Sequence, residues 1–295
     1  MRPRRHRSGV AGRPVACSAV ELLLGDHRFD VTHRAVVMGI LNRTPDSFYD
    51  KGAYWGFDDF LAKAEQLVDD GADFLDVGGV KAGPGEEVTE AEELDRVVPA
   101  VEALRARFDV PLSIDTWRAS VARACFAAGA VVGNDISGFA DPDYLPTCAA
   151  AGASVVATHI RLAPRVPDPD PRYDDVVATV CEFLADRAEQ ARRAGIMAAR
   201  IMVDAGLDLG KTEAQSLTLL RASDRLAALG YPVFLSASNK RFLWHLLEVD
   251  VASATRGTMA AHALGIALGC RVLRAHDARA ARRVADTMAA VLGAA

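Results

Sequence analysis

Short apolar runs alternate along the chain with longer segments in which apolar and charged residues recur at helical spacing. The apolar runs, each the length of a buried strand, are Val36–Asn42, Asp73–Gly79, Pro111–Thr116, Val131–Ile136, Ser154–His159, Arg200–Gly206, Pro232–Ser238 and Arg271–Asp277. Segments with helical pattern include Asp58–Asp70, Glu90–Phe108, Tyr173–Ala194 and Glu213–Leu229. Eight alternations predict an α/β fold with a single (β/α)8 TIM barrel. An open doubly wound sheet would need a glycine-rich phosphate loop after its first strand, and the sequence has none there.

The ends of the chain carry weaker signals. Two short apolar pieces flank Gly25-Asp26 within Val20–Val31, which predicts a small N-terminal β-hairpin that closes the bottom of the barrel. Residues 1–17 include an arginine-rich run and are expected to form a disordered basic extension, so the barrel domain spans residues 18–295.

Within the barrel domain, residues 164–171 are rich in proline and aspartate, and this composition predicts a long mobile loop.

The composition and charge of the chain indicate which classes of binding partner to expect. The chain is 51% hydrophobic with a net charge of −5, which excludes wholesale disorder and gives no electrostatic reason to expect nucleic acid. No apolar run reaches the roughly 18 residues of a membrane helix, so no membrane partner is expected. The cysteines lack metal-site spacing, which predicts reduced thiols in a cytoplasmic protein: Cys17, Cys125, Cys148, Cys181 and Cys270.

Every predicted strand ends in a polar residue. In chain order these are Asn42, Asp76, Asp115, Asn134 with Asp135, His159, Asp204, Ser238 with Asn239 and Lys240, and Arg274 with His276. Any one of them alone would be explained as a cap of the following helix. Because the carboxyl ends of all barrel strands meet at one mouth, a polar residue at every end predicts a binding site there.

One part of this set suits a planar heterocycle. Asp115, Asn134 and Asp204 offer hydrogen-bond acceptors and an amide for a donor-rich ring edge, and Asp204 could accept two N–H bonds from an amino-pyrimidine. Lys240 could bond a ring carbonyl or hold an anion.

A second part suits phosphate. Arg274 and His276, two positions apart on the last strand, could hold phosphate oxygens. Asn42 carries no charge and suits an oxygen-only site, such as Mg²⁺ shared with phosphates.

Several motifs resemble those of dihydropteroate synthases. Residues 39–48 (GILNRTPDSF) are similar to the family's first signature, and residues 76–79 (DVGG) with Pro84-Gly85 are similar to the second. The others follow in the family's order: SIDT at 113–116, NDISG at 134–138, GKT at 210–212, SNK at 238–240 and RAHD at 274–277. The resemblance runs from about residue 20 to the C-terminus.

The resemblance implies a transferase that joins dihydropterin pyrophosphate to p-aminobenzoate in folate synthesis, with Mg²⁺ as cofactor and a homodimer as assembly. It implies that Asp115 and Lys240 are catalytic and that pterin is bound by Asp115, Asn134, Asp204 and Lys240. It also implies that Asn42, Arg274 and His276 hold the pyrophosphate, with Asn42 as the metal ligand.

The sequence departs from the family on the side where the amine would bind. Residues 80–85 read VKAGPG, so that Ala82 and Gly83 replace the family's Thr and Arg, while Asn239 replaces the Arg of a Ser-Arg-Lys motif. Asp208 stands where the family has a glycine. The amine-side candidates are Arg43, Phe48, Lys81, Ser238 and Asn239. In these departures the chain resembles the divergent second copies of some actinobacteria, which implies weak or absent folate activity.

Three functions remain open from the sequence. The first is a dihydropteroate synthase with an impaired amine site. The second is a pterin transferase that uses a different nucleophile, recognised by Arg43 and Lys81. The third is a catalytically inactive homologue that binds pterin or phosphate.

Overall fold

The computed structural model describes residues 20–44, 56–83 and 85–293. The predicted basic extension at residues 1–17, the thiol of Cys17 and the amine-side candidate Phe48 lie outside these ranges.

Eight parallel strands close into a barrel, preceded by a two-stranded antiparallel sheet. The strands are β1 (Glu21–Leu24), β2 (His27–Asp30), β3 (Val36–Asn42), β4 (Phe74–Gly78), β5 (Leu112–Asp115), β6 (Val132–Asp135), β7 (Ser154–Thr158), β8 (Ile201–Asp204), β9 (Val233–Leu235) and β10 (Cys270–Ala275). β10 pairs with both β9 and β3, so the sheet has no free edge. The predicted (β/α)8 barrel with an N-terminal hairpin is confirmed.

Helices surround the barrel in the order that the sequence pattern predicts. They are α1 (Phe57–Asp69), α2 (Glu90–Arg107), α3 (Ala119–Ala127), α4 (Tyr144–Ala150), α5 (Val176–Arg193), α6 (Glu213–Arg221), α7 (Ser223–Ala227), α8 (Arg241–Leu246), α9 (Thr255–Ala267) and α10 (Ala278–Val291). Glu213–Leu229, which has one continuous helical pattern, is broken at Ala222. The hydroxyl of Ser223 donates to the carbonyl of Leu220 at 2.9 Å, a local bond that competes with the regular helical pattern.

The hairpin closes the amino-terminal end of the barrel, as predicted. Gly25 turns the chain with a φ of 59°, a conformation that glycine adopts without steric cost. Leu22 and Leu24 are fully buried and pack into the same cluster as the barrel-interior residues Met38 and Phe74. The opposite, carboxyl-terminal end of the barrel is left to polar side chains.

The last helix and the cysteines complete the described fold. The alanine and valine stripe of α10 is buried against the barrel, so it is not an outward-facing surface. The cysteines of the described ranges are free thiols, namely Cys125, Cys148, Cys181 and Cys270. Within the described residues, no helix is long and apolar enough to cross a membrane.

Candidate active site

The predicted site residues gather at the carboxyl ends of the barrel strands. A cavity of about 600 Å³ opens there. Its lining includes these predicted residues: Asn42, Lys81, Asp115, Ser238, Asn239, Lys240, Arg274 and His276. Asn134 and Asp204 are buried and are not among the lining residues. The Asn134 amide donates to Asp76, and Asp204 lies within the influence of the Lys240 charge. The strand ends therefore converge as the sequence analysis predicted.

A network of charged side chains joins β10 to β4 and β5 at the cavity. The guanidinium of Arg274 donates to Asp76 at 2.7 Å and to Asp115 at 3.0 Å. Asp76 is fully buried and also accepts bonds from the Ser113 hydroxyl at 2.7 Å and the Asn134 amide at 3.2 Å. Asp76 was identified in the sequence only as a strand end, yet it is the hub of this network.

Burial sets the charge state of this network. It raises the pKa of Asp115 to about 7, although the adjacent Arg274 guanidinium acts in the opposite direction. For Arg274 the nearby carboxylates outweigh burial and raise its pKa, so it stays charged. Arg274 was predicted to hold pyrophosphate, and in this structure two of its donors are already directed at carboxylates.

A buried carboxylate and a buried ammonium group lie near each other after β8 and β9. Asp204 accepts a bond from the backbone N–H of Gly206 at 2.8 Å through Oδ1, and no described residue donates to its Oδ2. Lys240 donates to the carbonyl of Leu207 at 2.6 Å. Burial raises the pKa of Asp204 and lowers that of Lys240, and each charge opposes the shift of the other.

Ser238 and His276 form a hydrogen-bonded pair. The Ser238 Oγ lies 3.0 Å from Nδ1 of His276 and accepts the backbone N–H of the same residue at 3.2 Å. Burial, followed by the charge of Arg274, lowers the pKa of His276 to about 3, so its ring is neutral at physiological pH. A neutral imidazole carries a single ring proton, so one ring nitrogen of His276 donates and the other accepts.

Lys211 holds the loop after β8 in place. It is buried, and its Nζ donates to the carbonyls of Gly206 and Leu209, both at 2.9 Å, and of His159 at 3.2 Å. Nδ1 of His159 is 2.9 Å from the same nitrogen. Burial, together with the Lys211 charge, lowers the pKa of His159 to about 3. The sequence marked Lys211 as a motif residue but did not reveal this structural role.

The amine-side candidates do not all reach the cavity. Lys81 lines it, whereas the guanidinium of Arg43 lies over the rings of Phe57 and Phe60, 5.3 and 5.4 Å from their centres, and is not part of the lining. Asn239 lines the cavity with a φ of 53°. Asn adopts this left-handed backbone conformation more readily than most other residues with a side chain.

Sequence reasoning missed a contribution from the segment between β7 and α5. Arg165 and Asp168 of this segment line the cavity, as does Arg241 at the start of α8. The only sequence signal was the unusual proline and aspartate content of residues 164–171, which predicted a loop without indicating where it lies.

The residues present fit a metal ion that arrives with a phosphate ligand. No group of three or more His, Cys, Asp or Glu side chains in the described ranges is arranged to hold a metal. Asn42 contributes a neutral amide to the cavity wall at the end of β3, the strand next to the one that carries Arg274. Mg²⁺ commonly uses few protein ligands and completes its shell with substrate phosphates and water, so one amide oxygen is compatible with that ion.

Comparisons with known proteins agree with the fold. Residues 38–276 match the model of the family described as pterin binding enzyme. The chain is 40% identical over 293 residues to a Mycobacterium leprae protein named inactive dihydropteroate synthase 2, covering 97% of this chain and 96% of that protein.

Solved structures of dihydropteroate synthases are also similar to this chain over most of its length. The Yersinia pestis dihydropteroate synthase, in a sulfonamide drug complex, has a TM-score of 0.89 and 34% identity, covering 93% of this chain and 100% of that one. A Xanthomonas albilineans dihydropteroate synthase in complex with 7,8-dihydropteroate has a TM-score of 0.80 and 34% identity, covering 93% and 99%.

Proposed function

The chain belongs to the dihydropteroate synthase family of pterin-binding enzymes, and from this premise we propose that it binds dihydropterin pyrophosphate and transfers the pterin-methyl group slowly to an amine of the p-aminobenzoate class. The observation that carries the proposal is that the buried carboxylate of Asp204 and the buried ammonium group of Lys240 lie close enough to influence each other's charge. A buried carboxylate with an unpaired oxygen suits the N–H edge of a pterin, and an adjacent ammonium group suits its ring carbonyl.

The charges around the cavity support a transfer through an electron-poor pterin methylene. Asp76 and Asp115 accept hydrogen bonds from Arg274 and so fix the direction of its guanidinium at the cavity. Arg274 supplies positive charge for the leaving diphosphate, and His276 lines the same part of the cavity. Mg²⁺ held by Asn42 and the diphosphate would neutralise part of the charge of the leaving group. The amine nitrogen then bonds to the methylene carbon, and an amine proton is released.

The reason to expect slow transfer is the loss of groups on the amine side. Ala82 and Gly83 line the cavity without a hydroxyl or a charge. One hydrogen bond to a charged group contributes about 1.5–3 kcal/mol, so each lost contact lowers affinity or rate by roughly ten- to hundredfold.

The pterin assignment predicts that Asp204→Ala abolishes pterin binding. The substitution removes the acceptor for ring N–H donors, which would then be buried without a partner. Calorimetry with 6-hydroxymethylpterin measures the effect, and Asp170→Ala, an exposed carboxylate that pairs with Arg172, is the matched control. Unchanged pterin affinity in Asp204→Ala would remove the basis for this assignment.

A second candidate function is an inactive pterin-binding protein. The name of the Mycobacterium leprae relative favours it. Complementation of a bacterial strain that lacks dihydropteroate synthase separates the two, because growth without added folate requires turnover. Pterin binding without complementation and without product formation in vitro would favour the inactive protein.

A further inference from the structure

The segment between β7 and α5 is tied down across the cavity mouth. The hydroxyl of Tyr173 donates to the carbonyl of Gly210 at 2.7 Å, and Arg161 pairs with Asp168 through two contacts of 2.5 Å. The backbone N–H of Arg165 donates to the carbonyl of Ala82 at 3.2 Å. The predicted loop thus joins the loops that follow β4 and β8.

Arg165 places its guanidinium inside the loop that follows β4. Nη1 donates to the carbonyl of Lys81 at 3.2 Å, and Nη2 donates to the carbonyl of Glu86. Among the described residues, no carboxylate lies within ion-pair distance of Arg165. Within the described residues, the guanidinium of Arg165 therefore bonds only to carbonyl groups at a cavity wall, and no carboxylate neutralises its charge.

Arg165 contacts the same loop in which Gly83 lacks a side chain. Gly83 lines the same cavity, and a Cβ at this glycine would find no atom within 4 Å, so the space beside it is open. Arg165 has a φ of 66°, an unfavourable backbone conformation for a residue with a side chain. Such strain persists where the surrounding contacts fix it, and it is common at ligand sites.

Two cations converge beside this open space. Nη2 of Arg165 and Nζ of Lys81 lie 3.4 and 3.8 Å, respectively, from the position that a Cβ on Gly85 would take. An anion placed between these two groups would be attracted by both charges.

On the basis of the proposed function, we propose that Arg165 and Lys81 form a subsite for an oxyanion and replace the arginine that is missing at Gly83. The oxyanion is either the carboxylate of the amine substrate or the terminal phosphate of the diphosphate. The planar guanidinium can bond two oxygens of either group, and the Lys81 ammonium adds a mobile point charge. The subsite is supplied by a different loop from the one that carries Gly83, so the sequence motif alone does not show it.

The test measures binding of two anions to the full chain by calorimetry. Inorganic pyrophosphate with Mg²⁺ represents the diphosphate, p-aminobenzoate represents the carboxylate, and aniline is the uncharged counterpart. We expect Arg165→Ala to weaken the binding of at least one anion by tenfold or more, with no change for aniline. Arg172→Ala removes an arginine from the same loop outside the cavity lining and should change neither anion.

The Lys81→Ala variant tests the contribution of the Lys81 charge separately from that of the loop structure. This variant keeps the Lys81 carbonyl that accepts from Arg165, and it removes only the second cation. A matching loss of anion affinity in Lys81→Ala supports the subsite. Failure of the unaltered chain to bind either anion, affinities within twofold in Arg165→Ala, or an equal loss in Arg172→Ala would each overturn it. The proposed function is judged separately, by 6-hydroxymethylpterin binding.

Discussion

His262 is a buried polar side chain whose two ring nitrogens lack a hydrogen-bond partner among the described residues. It lies in α9 and is 1% exposed. A buried polar group without a partner costs about 1–3 kcal/mol, so this residue lowers the stability of the fold. Nothing in the described structure shows a contact that offsets this cost.

We expect His262→Leu to raise the free energy of unfolding by about 1 kcal/mol or more, because leucine fills a similar volume without polar atoms. The pH dependence should change too. Burial lowers the pKa of His262 to about 4, below its ordinary value of 6.5. Between these values the unfolded chain binds a proton that the folded chain does not, so stability falls as pH falls from about 6.5 to 4.

Urea unfolding at pH 7 and at pH 5 checks both effects. The difference between the two pH values should shrink in His262→Leu, but it should not vanish, because His159 and His276 also have lowered pKa values. The exposed His33→Leu is the control, for which no change is expected. A His262→Leu protein less stable than the unaltered chain at both pH values would contradict the prediction.

At the scale of elements, the loops that follow β4 and β9 determine how the amine side can be rebuilt. Gly83 has open space around its Cβ position, so Ala82→Thr combined with Gly83→Arg should be tolerated. Asn239 has a φ of 53°, and it exchanges bonds with Thr258 at 3.0 and 3.3 Å. Arginine at this position would strain the backbone and lose the bond in which the Asn239 side-chain oxygen accepts from Thr258.

We therefore expect the Ala82→Thr, Gly83→Arg double variant to raise kcat/KM for p-aminobenzoate by about tenfold. A gain of this size corresponds to one regained hydrogen bond to a charged group. Adding Asn239→Arg should lower the melting temperature without a matching gain in rate. Steady-state kinetics and thermal unfolding measure the two effects. The interpretation of a degraded amine site is wrong if the unaltered protein already turns over near the ~10 s⁻¹ median of enzymes.

The same loops mark the limit of prediction from sequence. Periodicity identified the strands, and the polar strand ends Asp115, Lys240 and Arg274 line one cavity because parallel strands deliver their ends to a single mouth. Contacts between distant loops have no periodic signal, so Arg165 was missed. Arg43 was expected on the amine side, but it packs on Phe57 and Phe60, since the direction of a loop side chain depends on tertiary neighbours.

At the scale of the whole molecule, the homodimer implied by the family resemblance stays a prediction. The α10 stripe faces the barrel, so another surface must form the contact. α9 and α10 leave Leu264 and Val291 exposed by 41% and 70%, and a dimer should bury part of this apolar surface. Light scattering at micromolar concentration should give twice the 31.4 kDa chain mass. A mass of one chain would contradict the prediction.

The two ends of the barrel should respond differently to mutation, because the hairpin supplies core packing at one end and the other end holds the cavity. Leu24 is fully buried in the barrel-interior cluster, and Leu24→Ala should lower the free energy of unfolding by about 2–5 kcal/mol through lost contacts and a cavity. Leu162→Ala, at a site 46% exposed, is the matched control and should cost far less. Urea unfolding measures both changes. In the folded Leu24→Ala protein the affinity for 6-hydroxymethylpterin should stay within about twofold, because packing at the hairpin end is distant from the strand ends of the proposed pterin site. A large loss of pterin affinity at a temperature where the variant is fully folded would show that the two ends are coupled.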